Sequence, residues 1–148
     1  MIRRHPVLFP VTLGYLALVG WVTLGPQPLD ARGMGILRQI IAILARFDLT
    51  SWITYDLVES SANVAMFVPI GLMFLLLLGA RYWWLAILIG VALTCAIEFT
   101  QLFLPGRFSD VRDVLANSLG ALLGVIVAMV IVAVLRRAGA TGSGRLEE

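Results

Sequence analysis

The 148-residue chain is predicted to be all-α and polytopic, a four-transmembrane-helix bundle with an amphipathic interfacial helix between its first and second spans. Three observations predict this. Hydrophobic residues make up 60% of the chain and charged residues 14%, with mean hydropathy +0.96, which is too apolar for a soluble domain of this length. Four apolar runs reach the roughly 18–20 residues needed to cross a bilayer core. The polar residues are also unevenly placed. The stretch IEFTQLFLPGRFSDVRDVLANSLGALLG, Ile97 to Gly124, holds one Glu, two Arg, two Asp, a Gln and an Asn between two apolar runs.

Composition excludes several classes. Cys95 is the single cysteine and lies inside an apolar run, so a disulfide framework is ruled out and the thiol reads as inert packing. The net charge is only +2 and the basic residues, all arginine, are scattered, so nucleic acid is not an expected partner.

The first span covers about Val7–Leu24 and stops at GPQP, where two prolines and a glycine break any helix. The RRH before it resembles the start of a signal peptide. No small-residue cleavage site precedes GPQP, however, so a retained helix is expected. In ILRQIIAILARF, one arc of a helical wheel holds Ile36, Leu37, Ile40, Ile41, Ile43, Leu44 and Phe47. Arg38, Gln39, Ala42, Ala45 and Arg46 fill the opposite arc. Such a helix is too short to span and strongly two-faced, so it should lie in the outer interface; a re-entrant segment or packing on the bundle is the alternative. Trp52 and Tyr55 read as interface anchors at one end of the second span, about Ala62–Gly79, and Trp83 and Trp84 at the other side. The third span covers about Trp83–Leu104 and the fourth about Val114–Leu135. Residues 1–138 form one domain, and the Gly/Ser-rich stretch 139–148 is expected to be a flexible tail.

Arg3, Arg4, Arg81, Arg136, Arg137 and Arg145 fall on one side of the membrane. The other side carries five Arg together with Asp30, Asp48, Asp56, Glu59, Asp110 and Asp113. The positive-inside bias puts both termini in the cytoplasm and turns the opening stretch outward.

Helical spacing then assembles a constellation. Thr94, Glu98 and Gln101 recur at i, i+4, i+7 on one face of the third span. Glu98 lies six residues before the expected helix end, hence ~9 Å inside it at 1.5 Å per residue. A carboxylate there must face protein or a polar cavity, which marks it as a functional candidate. In the fourth span Asp113, Asn117, Gly120 and Gly124 form a stripe that is polar, then small, suited to close helix approach. Asp110 is placed as the N-cap of that helix or as a carboxylate in its first turn, where the positive helix end favours anions. The second span adds Asn63, with Asp56 and Glu59 earlier and Pro69 interrupting the helix in FVPIG. The turn PGRFSDVRD adds Arg107 and Arg112. These groups should converge on one polar pocket under the outer interface.

The pattern N63-x3-F67-x-P69-x-G71, then E98-x2-Q101-x5-R107-x2-D110-x2-D113-x3-N117-x2-G120-x3-G124, resembles the VanZ-like family of small bacterial membrane proteins. The resemblance covers about 62–124. It implies a role at the cell envelope, in the bacterial cytoplasmic membrane, involving lipid-linked precursors or the lipid tail of a lipoglycopeptide such as teicoplanin. The family pattern carries over onto Asn63, Glu98, Gln101, Arg107, Asp110, Asp113 and Asn117; the first span and the amphipathic connection fall outside it.

Three classes of function follow. In the first, the pocket binds or handles an anionic amphiphile: Arg107 and Arg112 hold its phosphate or carboxylate, and Asn63, Gln101 and Asn117 add hydrogen bonds. In the second, Glu98 serves as general acid or base on a phospho- or glycolipid. Asp110 and Asp113 stay ionised and, with Asn117, offer oxygen ligands to Mg²⁺ or Ca²⁺. The only His, His5, lies on the opposite side, so no Ser–His or Cys–His nucleophile can be assembled. No organic cofactor is expected. In the third, the cluster is structural: Glu98 pairs with Arg107 or Arg112, the amides glue helices, and the chain docks on a partner membrane protein.

Overall fold

The computed structural model describes residues 6–25, 31–44, 46–47, 52–105 and 109–143. They form five α-helices: α1 (Leu8–Leu24), α2 (Ala31–Leu44), α3 (Tyr55–Leu78), α4 (Trp83–Gln101) and α5 (Val111–Ser143). No strand occurs among the described residues. Three helical stretches are long and apolar enough to cross a membrane: Tyr55–Leu78, Ala80–Gln101 and Val111–Ala138. α1 is apolar but has 17 residues, about 25 Å at 1.5 Å per residue.

The local signals explain the helix ends. α1 takes Pro10 in its first turn, where no backbone donor is needed, and ends with the Gly25 N–H on the Trp21 carbonyl at 2.9 Å. Its hydroxyls turn back on their own helix, Thr12 to the Leu8 carbonyl and Thr23 to the Val19 carbonyl, both at 2.8 Å, which keeps them satisfied in apolar surroundings. α3 opens with Thr54 accepting the Leu57 N–H at 3.2 Å. It ends at Gly79, whose φ of +88° no branched residue would adopt readily. One 3-10 turn, Ala80–Tyr82, leads directly into α4.

α4 stops at Gln101, three residues earlier than the expected Leu104. The chain tightens there through i to i+3 bonds, Phe103 N–H to the Thr100 carbonyl at 3.1 Å and Leu104 N–H to the Gln101 carbonyl at 3.0 Å. Glu98 is therefore one turn from the helix end, about 4.5 Å rather than ~9 Å. α5 continues to Ser143, five residues into the stretch expected as a tail, while 144–148 lie outside the described residues.

α3 and α5 run parallel, with α4 antiparallel to both. Their contact is close because it is built from small residues. A Cβ on Gly120 would collide with the Val64 carbonyl, one on Gly124 with the Val68 carbonyl, and one on Gly71 with the Ala121 carbonyl. On α4, Gly90 makes room for the Ala121 methyl. Such surfaces suit a solvent in which apolar burial gives no net drive and dispersion at short range holds helices together. Phe67, Ile70, Val19, Ile97 and Ala121 form one buried cluster, and Leu75, Ala86, Val125 and Ala128 a second. Many large apolar side chains point outward, among them Leu88, Leu115, Val130 and Leu135, a surface expected of a lipid-facing bundle.

α2 is a helix, as its periodicity predicts, and Ile36, Ile40, Ile43 and Phe47 on its apolar arc are exposed. The side chains of Leu37, Arg38 and Leu44, and all of Ala45, lie outside what is described.

Candidate functional site

The C-terminal end of α1, the N-terminal end of α3, the C-terminal end of α4 and the N-terminal end of α5 meet at one end of the bundle. Helix direction alone brings their polar residues together there. Thr94, Glu98, Gln101 and Asn117 are buried, and Asn63 and Asp113 are half-buried.

Glu98 is the centre of the layer. It is 6% exposed, and its Oε2 accepts the backbone N–H of Asp110 at 3.0 Å. That N–H belongs to the residue just before α5, so a carboxylate of α4 sits at the positive end of the next helix. Asp110 is the cap the sequence predicts: its Oδ1 accepts the Arg112 N–H at 2.8 Å and its carbonyl the Asp113 N–H at 3.0 Å. One turn into α5, the Asp113 carboxylate lies beside the Asn63 side chain of α3. It also lies within electrostatic reach of Glu98, Glu59 and Asp110.

One turn deeper, Asn117 Nδ2 donates to Thr94 Oγ1 at 2.9 Å between α5 and α4. Asn117 is 2% exposed and its Oδ1 is buried with no hydrogen-bond partner among the described residues. In a structure where nearly every buried polar atom is paired, an orphaned amide oxygen beside a carboxylate layer is an acceptor left open.

Toward water the layer changes character. Arg112 pairs with Asp56 of α3, Nη1 to Oδ2 at 3.0 Å, with both side chains 69% exposed. Arg112 therefore engages Asp56 rather than Glu98. Arg107 lies outside the described residues. The described ionisable groups of the layer are thus mostly carboxylates: Asp56, Glu59, Glu98, Asp110 and Asp113 against Arg112. Among the described residues no three His, Cys, Asp or Glu side chains are grouped so as to hold a metal ion.

Gln101 faces a partner that its pattern does not announce. It is buried, and its Nε2 donates to the Thr23 carbonyl of α1 at 3.0 Å. That carbonyl is in the last turn of α1 and has no intrahelical donor, which is the general signal for where such an amide can dock. With the Tyr15 hydroxyl on the Met66 carbonyl at 2.8 Å, this bond ties α1 to the other helices. α1 therefore belongs to the structure around the layer, although the resemblance pattern left it out.

No curated protein and no solved structure matches the chain. The model of the VanZ/LLP1 family matches residues 12–133, a range that takes in most of α1, the whole polar layer and most of α5. The chain is a member of the VanZ/LLP1 family.

Proposed function

We propose that this protein is a four-span component of the bacterial cytoplasmic membrane, both termini cytoplasmic, whose polar layer faces outward and binds the head group of an envelope amphiphile. α1 is the fourth span and α2 lies in the outer interface with its exposed isoleucines among lipid chains. The observation that carries the head-group assignment is the buried, unpartnered Oδ1 of Asn117, one turn beneath the Glu98 and Asp113 carboxylates. Together they offer acceptors to a ligand rich in hydroxyl or amide donors.

Arg112 supports the anionic part of the reading. Its pair with Asp56 is exposed, and exposed pairs are worth at most about 1 kcal/mol, so a phosphate or carboxylate can displace Asp56. Arg107, five residues earlier in the sequence, offers a second guanidinium. A lipid-linked envelope precursor, or a lipoglycopeptide such as teicoplanin, presents both chemistries: an anionic group and a donor-rich sugar or peptide. The second reading is catalytic, favoured by the carboxylates of Glu98 and Asp113 on facing helices, a pair suited to acid and base roles on a phospho- or glycolipid.

Thermal unfolding in mild detergent with added lipids tests the proposal. A ligand of the folded state stabilises by about 2.7 kcal/mol at a hundredfold excess over Kd. A polyprenyl phosphate-linked sugar is expected to raise the midpoint and phosphatidylcholine to leave it unchanged. Equal shifts with both, or an undiminished shift in Asn117→Leu, would contradict a head-group site.

A further inference from the structure

Beside the polar layer, a groove of about 240 Å³ runs between α1 and α4 with α3 as its floor. Leu16, Gly20 and Leu24 of α1, Ile70 of α3, and Ala96 and Thr100 of α4 line it. Ala96 and Thr100 are exposed, so the groove opens at the lateral surface of the bundle. The Thr100 hydroxyl, the only side-chain polar group on that lining among the described residues, spends its proton on the Ala96 carbonyl at 2.7 Å, so the walls offer water no side-chain donor and a single hydroxyl acceptor, too few partners to hold one in place. A single extended hydrocarbon chain is far narrower than a helix, which is about 10 Å across, and so suits a slot of this volume better than a helix of a second copy does. The groove is also continuous with the site. Leu24 follows Thr23, whose carbonyl holds Gln101, and Ile97 at the groove's inner wall precedes Glu98. From Leu24 to Leu16 it runs roughly 12 Å down the bundle axis, away from the polar end and toward the middle of the membrane.

We propose that this groove holds one hydrocarbon chain of the amphiphile whose head group is bound at the polar layer. The site thereby loads sideways from the bilayer. The assignment rests on the head-group reading above. An unfilled slot facing lipid forfeits dispersion contacts along its whole lining, which a chain restores; a head group at the outer end fixes the chain's direction. Lipid tails are as apolar as the lining, so the chain is retained through its head group rather than by apolar burial.

Gly20 makes the test clean, because a Cβ placed there meets nothing within 4 Å. Gly20→Phe therefore starts its side chain in open space on the groove lining, and its unfolding midpoint in detergent checks that the bundle keeps its packing. Gly14→Phe, on the same helix with equally open space and outside the lining, is the control. The wild-type protein and both variants are placed in phosphatidylglycerol nanodiscs doped with phosphatidylglycerol that carries a diazirine near the end of one acyl chain. After photolysis, mass spectrometry maps the labelled peptides. The expected result is labelling concentrated on the lining of α1 and α4, lost in Gly20→Phe and kept in Gly14→Phe. Labelling spread evenly around the bundle, or unchanged in Gly20→Phe, overturns the groove. Labelling that is lost in Gly20→Phe yet persists in Glu98→Gln upholds the groove and overturns the head-group reading instead.

Discussion

The carboxylate of Glu98 in α4 accepts the backbone N–H of Asp110 at the threshold of α5, at 3.0 Å. One residue thus closes the α4–α5 connection from inside and puts a buried anion at the positive end of a helix. The two roles separate by substitution. Glu98→Gln keeps an acceptor for Asp110 and should lower stability by well under 1 kcal/mol, whereas Glu98→Ala removes it and should lower stability by about 1–2 kcal/mol. Denaturant unfolding in detergent measures both. Equal losses would show that the charge, not the hydrogen bond, holds the connection.

Arg112 and Asp56 behave differently because water reaches both. Arg112→Gln should change stability by no more than about 0.5 kcal/mol. It should nevertheless weaken binding of a phosphate-bearing lipid, which the shift in unfolding temperature with added lipid reports. A stability loss above about 2 kcal/mol would make the pair a strut rather than an exchangeable contact.

The contact between α3 and α5 should tolerate almost no added volume. Gly71→Ala puts a methyl against the Ala121 carbonyl and Gly124→Ala puts one against the Val68 carbonyl, backbone on backbone in each case. Each should cost about 1–3 kcal/mol or more, since neither helix can yield by a rotamer change. Gly14→Ala, in open space inside α1, should instead stabilise by up to about 1 kcal/mol through its helix propensity. Unfolding midpoints compared across the three variants decide the matter.

The position of α2 can be read from cysteine accessibility in vesicles. Ile40→Cys, on the exposed apolar arc, should be shielded from a membrane-impermeant thiol reagent, and Gln39→Cys on the polar arc should react freely. Equal, fully aqueous reactivity at both would count against an interfacial helix.

The helices and the convergence of their polar ends are legible in the sequence, because long apolar runs and i, i+4 spacing are set locally. The Asp110 cap is legible for the same reason. Partner choice is not. Arg112 bonds Asp56, fifty-six residues away, instead of Glu98, and Gln101 bonds a backbone carbonyl of α1 that no side-chain pattern can reveal. α4 ends three residues before its apolar run does, because Leu102, Phe103 and Leu104 continue the hydropathy of the helix while their backbone has already tightened into turns. The groove arises from how α1 leans on α4, a tertiary property with no local signature.

The measurement that bears most directly on the central claim is native mass spectrometry of the protein in mild detergent, wild type beside Glu98→Gln and Arg107→Ala. A defined lipid or glycolipid retained by the wild type, and lost from both variants while their unfolding midpoints hold, is the expected result. Absence of any specific adduct, with both variants unstable, would contradict a head-group site and leave the polar layer as the fastening of a membrane bundle.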